Sequence, residues 1–171
     1  GVNHLGHFAL TGALITKLIE TASARIVTMT SQVYKNSTID LDGITTKNVN
    51  GYGSSKLANL LFSLELQRRL SAVGSHTLSV AAHPGASRTE GVEHMLEQST
   101  NPALKLFFGL FVRHVMQSAE AGALNPLHAA SDPDAKGGEL YGPDGFLAIR
   151  GHPVASRPSV NASTIKLAAD L

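Results

Sequence analysis

The 171-residue sequence contains no cysteine. Disulfides, zinc–thiolate centres and cysteine nucleophiles are therefore excluded, and the lack of cysteine agrees with an expected cytoplasmic setting. Neither sign of charge prevails, since 14 basic residues face 13 acidic ones for a net charge of +1. With no Lys/Arg run and no interleaving of basic and aromatic residues, there is no basis for a nucleic-acid partner. No apolar run is long enough to span a bilayer. The most lipophilic stretch, Ala103 to Val112, is too short and carries Lys105. A Gly-x-Ser-x-Gly elbow is missing, which disfavours a serine hydrolase. Internal repeats and low-complexity segments are absent too. The sequons at Asn36 and Asn161 matter only in a secreted chain, and nothing indicates secretion.

Metal chemistry has little to stand on. His4 and His7 are three apart on a helical pattern, a spacing that could bind a metal, but no third ligand lies near them in sequence. Asp40-x-Asp42-Gly43 resembles part of a calcium loop, yet Gly51 stands where that loop needs a glutamate. No bound metal is expected.

By length the chain is one domain. Val2 to about Glu20 reads as a helix with apolar residues on two sides: Leu5, Phe8, Gly12, Ile15 and Ile19 on one, Leu10, Leu14 and Leu18 on the other. Arg25 to Thr30 is a short β-rich run ending at Ser31, and Gln32 to Gly51 is a polar loop with room for a short turn. Tyr52 to about Leu70 is a second helix. Leu57, Leu60, Leu61 and Leu64 cover one face, Ala58, Phe62, Leu66 and Leu70 another. Tyr52, Lys56, Asn59 and Ser63 fall on a polar strip between them. Thr77 to Ala82 is a strand stopped by Pro84-Gly85. Thr89 to Gln117 is irregular and partly helical, Ser118 to Ser131 is helical despite Pro126, and Glu139 to Tyr141 is a short final strand. Strands alternating with helices predict an α/β fold with a mostly parallel sheet.

The most informative pair is Tyr52 and Lys56. Four residues apart, they lie about 40° from each other on one helix face. An ammonium one turn from a phenol favours the phenolate and is expected to draw the phenol's pKa towards neutrality. Such a group suits proton exchange during carbonyl reduction or alcohol oxidation near neutral pH. Taken alone, the pair reads more readily as an exposed Tyr and Lys on a helix. Ser31 follows a strand, and the carboxyl ends of parallel strands are where open α/β sheets place ligands. Alone, it is an ordinary capping or turn serine.

The ordered set changes the balance. Val2-Asn3-His4-Leu5-Gly6, then Thr28-Met29-Thr30-Ser31, then Tyr52-x-x-x-Lys56-Leu57-Ala58-Asn59-Leu60-Leu61-Phe62, His83-Pro84-Gly85 with Thr89, and Glu139-Leu140-Tyr141-Gly142-Pro143-Asp144-Gly145 occur in that sequence. This set resembles the short-chain dehydrogenase/reductase family, and within it the retinol-dehydrogenase-like and protochlorophyllide-reductase-like branch, particularly its actinobacterial members. The resemblance covers almost the whole chain and becomes vague after about Arg150. It implies the C-terminal part of a Rossmann-type doubly wound parallel sheet, a single partial domain over residues 1–171 that starts within the fourth helix. The Gly-x-x-x-Gly-x-Gly turn that cradles a pyrophosphate in this family does not occur here. The isolated chain is therefore expected to be inactive or poorly folded.

The resemblance also implies roles. Tyr52 is the general acid/base, Lys56 supports it and holds the nicotinamide ribose, and Ser31 holds the substrate oxygen. Asn3 breaks its helix locally and holds a water leading to Lys56. Pro84 and Gly85 let the backbone approach the nicotinamide, and Thr89 bonds its carboxamide or a phosphate. Thr30, where the family usually has Ser, has no clear consequence, and His83 is a packed residue. The cofactor is NADP or NAD, with NADP favoured. The substrate is a small-molecule carbonyl or alcohol. The apolar residues Met95, Leu96, Leu104, Leu106, Phe107, Phe108, Leu110, Phe111, Val115 and Met116 would form a lid over a lipophilic one, or else pack on the protein body. Helices 2–20 and 52–70 would form a homodimer, the plainer alternative being a neighbouring helix in the same chain. The competing reading of the whole chain is a non-catalytic dinucleotide-binding or dimerisation module.

Overall fold

The computed structural model describes residues 1–39, 51–88, 101–160 and 168–169. Helix α1 spans Leu5–Glu20, strand β1 Arg25–Met29, helix α2 Gly51–Ala72, strand β2 Leu78–Ala82, helix α3 Pro102–His114 and helix α4 Ala119–Ser131. Strands β3 (Leu140–Pro143) and β4 (Pro153–Ser156) close the order, with 3-10 turns at Gln32–Asn36 and Phe146–Ala148.

The strands form one sheet in the order β1-β2-β3-β4. The first three are parallel and β4 runs antiparallel to β3. Helices cover both faces, because β2 is buried on both sides, as parallel strands are. Ala81 and its β3 partner Leu140 face α2, packing with Leu57, Leu60, Leu61 and Tyr34. One residue along, Ala82 and Tyr141 face the other way, with Val80 and Ala129 of α4. The alternation of strands and helices predicted this mostly parallel α/β sheet, and the helices on both faces give the doubly wound form that the resemblance implies.

Helix α2 is built from leucines and long polar residues of good helix propensity. It ends where Gly74 adopts φ +69° and Ser75 N–H reaches back to the Leu70 carbonyl at 3.0 Å. Helix α4 starts at Ser118, whose side chain accepts from Ala121 N–H. Pro126 leaves the Gly122 carbonyl without its backbone donor, and Asn125 Nδ2 supplies one at 3.3 Å. The expected helix through the proline therefore forms.

Two expectations need correction. Helix α1 begins at Leu5 rather than Val2, so Asn3 lies in the turn ahead of it. Glu139–Tyr141 is not the final strand, since β4 follows it. With four residues, a proline at its start and alternate burial, β4 is an edge strand too short to show a period. The polar strip of α2 is partly turned inward. Asn59 and Ser63 are fully buried and meet the sheet, Asn59 Nδ2 donating to the Met29 carbonyl at 3.0 Å and Ser63 Oγ lying 3.2 Å from Ser79 Oγ. Among the described residues, no helix is long and apolar enough to cross a membrane. Asp40, Asp42 and Asn161 lie outside the described residues.

Candidate active site

The site is built where β1 and β2 end. Thr30 N–H donates to the Ala82 carbonyl at 2.8 Å, continuing the β1–β2 ladder by one bond. The Thr30 hydroxyl, on a residue only 2 % exposed, donates to the Lys56 carbonyl at 2.7 Å. Thr30 thus has a consequence that sequence reasoning missed: it ties the strand end to the first turns of α2. Ser31 comes next, half-buried at the head of the 3-10 turn, and its side chain makes no capping hydrogen bond. The plain capping role is therefore not the one its hydroxyl performs.

Tyr52 and Lys56 lie on one face of α2, with Lys56 Nζ 5.6 Å from the centre of the Tyr52 ring. Lys56 Nζ also donates to the Met29 carbonyl at 3.4 Å, and burial pushes its pKa below the ordinary lysine value. Of the three tyrosines, Tyr34 and Tyr141 are buried, at 2 % and 0 % exposure, whereas Tyr52 is 54 % exposed. Tyr52 is thus the phenol that a molecule arriving from solvent can reach.

A second layer holds Lys56. A carbonyl oxygen only accepts, so the Asn59 atom facing the Met29 carbonyl is its nitrogen. Asn59 Oδ1 then accepts from His4 Nδ1–H at 3.0 Å, which fixes the tautomer of that ring. Lys56 and Asn59 share one carbonyl as a result. Asn3 Nδ2 donates to Ser55 Oγ at 3.4 Å, so its direct contact is with the residue before Lys56.

Pro84 and Gly85 sit just past β2. Gly85 has φ +64°, and a Cβ there would collide with the Ile149 carbonyl oxygen and lie 2.8 Å from Pro143 Cγ. The protein's own 143–149 loop therefore already demands glycine at this position. Gln117 fastens the segment, since its Nε2 donates to the Pro84 carbonyl at 2.7 Å and its Oε1 accepts from Gly151 N–H at 3.3 Å. No sequence signal marks Gln117. Thr89 lies outside the described residues, as do Met95, Leu96 and the side chains of Leu104 and Phe107. Elsewhere in the expected lid, Phe108 and Phe111 stack at 6.1 Å, Val112 is buried, and Leu106 and Leu110 face solvent.

The structure therefore gathers Ser31, Tyr52 and Lys56 around the end of β1, with Pro84 and Gly85 at the end of the neighbouring strand. An ammonium, an exposed phenol and a hydroxyl free of capping thus lie near a turn of small residues at one edge of the sheet.

No protein-family model matches the chain. Human retinol dehydrogenase 14 is 35% identical over 149 residues, 83% of this chain and 43% of that protein. Human polyprenol dehydrogenase is 33% identical over 145 residues, 80% of this chain and 42% of that protein. A crystal structure of an uncharacterised protein from Mycobacterium paratuberculosis superposes with a TM-score of 0.65 at 34% identity, covering 98% of this chain and 53% of that one. Fold, motif order and these similarities together define part of a Rossmann-like fold. The chain belongs to the short-chain dehydrogenase/reductase family, in its retinol-dehydrogenase-like branch. It spans less than half the length of these two curated relatives.

Proposed function

We propose that this chain carries the proton-handling half of an NAD(P)-dependent oxidoreductase that interconverts a carbonyl and an alcohol. The observation carrying the proposal is the exposed Tyr52 phenol one helical turn from a half-buried Lys56, at the strand end that presents Ser31. In reduction Tyr52 gives its proton to the substrate oxygen, and in oxidation it takes that proton back. Lys56 stabilises the phenolate left behind, and the Met29 carbonyl and Thr30 hydroxyl hold Lys56 in place. Ser31 donates to the substrate oxygen and orients it. Asn3, through Ser55, sits on the route by which Tyr52 recovers a proton from solvent. The coenzyme, when bound, supplies or accepts the hydride. Tyr52, Lys56, Pro84, Gly85 and Thr89 would hold its nicotinamide end, with NADP favoured over NAD. A cytoplasmic setting belongs to the same proposal.

Retinol and polyprenol, named in two relatives, are long apolar alcohols. Together with the apolar α3 segment they favour a lipophilic substrate. The test is nicotinamide absorbance with the full-length polypeptide and a panel of carbonyls. Turnover of long-chain aldehydes above small charged ketones is expected. No oxidation of either coenzyme by any carbonyl would leave the non-catalytic module instead.

The same reading includes a homodimer through α1 and α2. No residue of α1 is buried, and Leu5, Phe8, Leu10, Leu14 and Ile19 are exposed. An apolar groove of about 360 Å³ between the two helices is lined by Phe8, Gly12, Ile15, Phe62 and Leu66. A second copy would cover this surface. Sedimentation of the full-length protein should give a dimer that Phe8→Glu converts to monomer, whereas a wild-type monomer refutes the interface.

A further inference from the structure

Past the Thr30–Ala82 bond the two chains leave the sheet in different directions, one into the Ser31–Gln32 turn and the other into His83–Pro84–Gly85. Pro84 has no N–H with which to cross the gap. His83 occupies the space between the turns. It is 3 % exposed, its backbone N–H donates to the Tyr141 carbonyl at 2.9 Å, and its ring packs so closely on Gly142 that a Cβ there would overlap it.

Both ring nitrogens have partners. Gly85 N–H donates to Nδ1 at 3.2 Å, and the Gln32 amide lies with its Nε2 at 3.0 Å from His83 Nε2, an orientation that turning the amide over exchanges for its oxygen. A neutral imidazole has one acceptor and one donor nitrogen. The backbone N–H cannot turn away, so Nδ1 is the acceptor and the proton resides on Nε2. The Gln32 group that meets it must then be the amide oxygen, since an amide can present either end. Burial, with the Lys35 ammonium nearby, pushes the imidazole down to about 4, in keeping with a neutral ring.

We propose that His83 is a positioning residue, a neutral clamp that uses Nε2–H to hold Gln32 beside Ser31 and Nδ1 to hold Gly85, keeping the substrate-side hydroxyl in register with the coenzyme-side turn. The inference rests on the oxidoreductase reading and deepens it. Ser31 holds the substrate oxygen, so slack in its turn weakens carbonyl turnover while coenzyme binding is left nearly as it was.

The test uses the full-length protein and the best carbonyl of the panel. Gln32→Leu removes the acceptor at similar volume, whereas Gln32→Glu keeps an acceptor. Loss of one such hydrogen bond should lower kcat/KM for the carbonyl roughly three- to tenfold in Gln32→Leu, with coenzyme KM changed less than about twofold. Gln32→Glu should recover most of that loss. Nitrogen NMR of the wild-type imidazole should show protonated Nε2 and bare Nδ1 at neutral pH, a readout that needs no turnover. A proton on Nδ1, or equal loss in the Leu and Glu variants, overturns the clamp. So does unchanged kcat/KM in Gln32→Leu. Tyr52→Phe, assayed alongside, separates the two failures. An active Tyr52→Phe sinks the Tyr52 proton-transfer reading, whereas an inactive one beside an indifferent Gln32→Leu sinks the clamp alone.

Discussion

Tyr52→Phe in the full-length enzyme should lower kcat by about 10²–10⁴-fold, the usual contribution of a well-placed proton donor. The substitution deletes one oxygen from an exposed ring. Stability should therefore move by less than about 0.5 kcal/mol, as for other surface changes. The ring that packs beside Lys56 remains, so coenzyme affinity should be nearly unchanged. Steady-state kinetics and a coenzyme titration measure the two separately. Near-normal turnover in this variant would remove Tyr52 from the chemistry. A loss of coenzyme affinity matching the loss of rate would instead make the phenol a binding group.

Gly85→Ala should destabilise the protein even with no coenzyme present. Alanine at φ +64° costs about 1–2 kcal/mol. The added methyl must also displace the Ile149 carbonyl and Pro143, and such overpacking typically costs about 1–3 kcal/mol. Urea unfolding of the coenzyme-free protein should therefore show a loss of roughly 2–5 kcal/mol. If the glycine served only close approach of the nicotinamide, this measurement would show no change and only coenzyme binding would suffer.

These two residues differ in how far the sequence exposes their roles. Tyr52 and Lys56 are local: helix geometry alone puts residues four apart on one face, and the leucines around them secure the helix. Ser31 at a strand end and the stop at Pro84-Gly85 are local signals of the same kind. The motif order was enough to reach the family. Gly85 is different. Its turn was legible, but the clash that demands glycine comes from Ile149, far along the chain. Gln117 joins Pro84 to Gly151 across similar separations, and nothing in its neighbours marks it.

The α2 polar strip shows the limit most plainly. Its spacing was legible, but spacing alone does not say what the strip faces. The sheet brings the Met29 carbonyl and Ser79 to within hydrogen-bond reach, so Asn59 and Ser63 are buried with partners. The role of Thr30 was missed for the same reason, because a hydroxyl acquires its task from whatever lies opposite.

By itself the chain determined what is periodic or contiguous: the helices, the parallel strands, the Tyr–Lys pair and the family. Tertiary structure alone decided which polar groups meet and why Gly85 admits no side chain. The physical reason is that propensity and spacing act over one or two turns, whereas hydrogen-bond partners and steric limits are set by segments that only folding brings together.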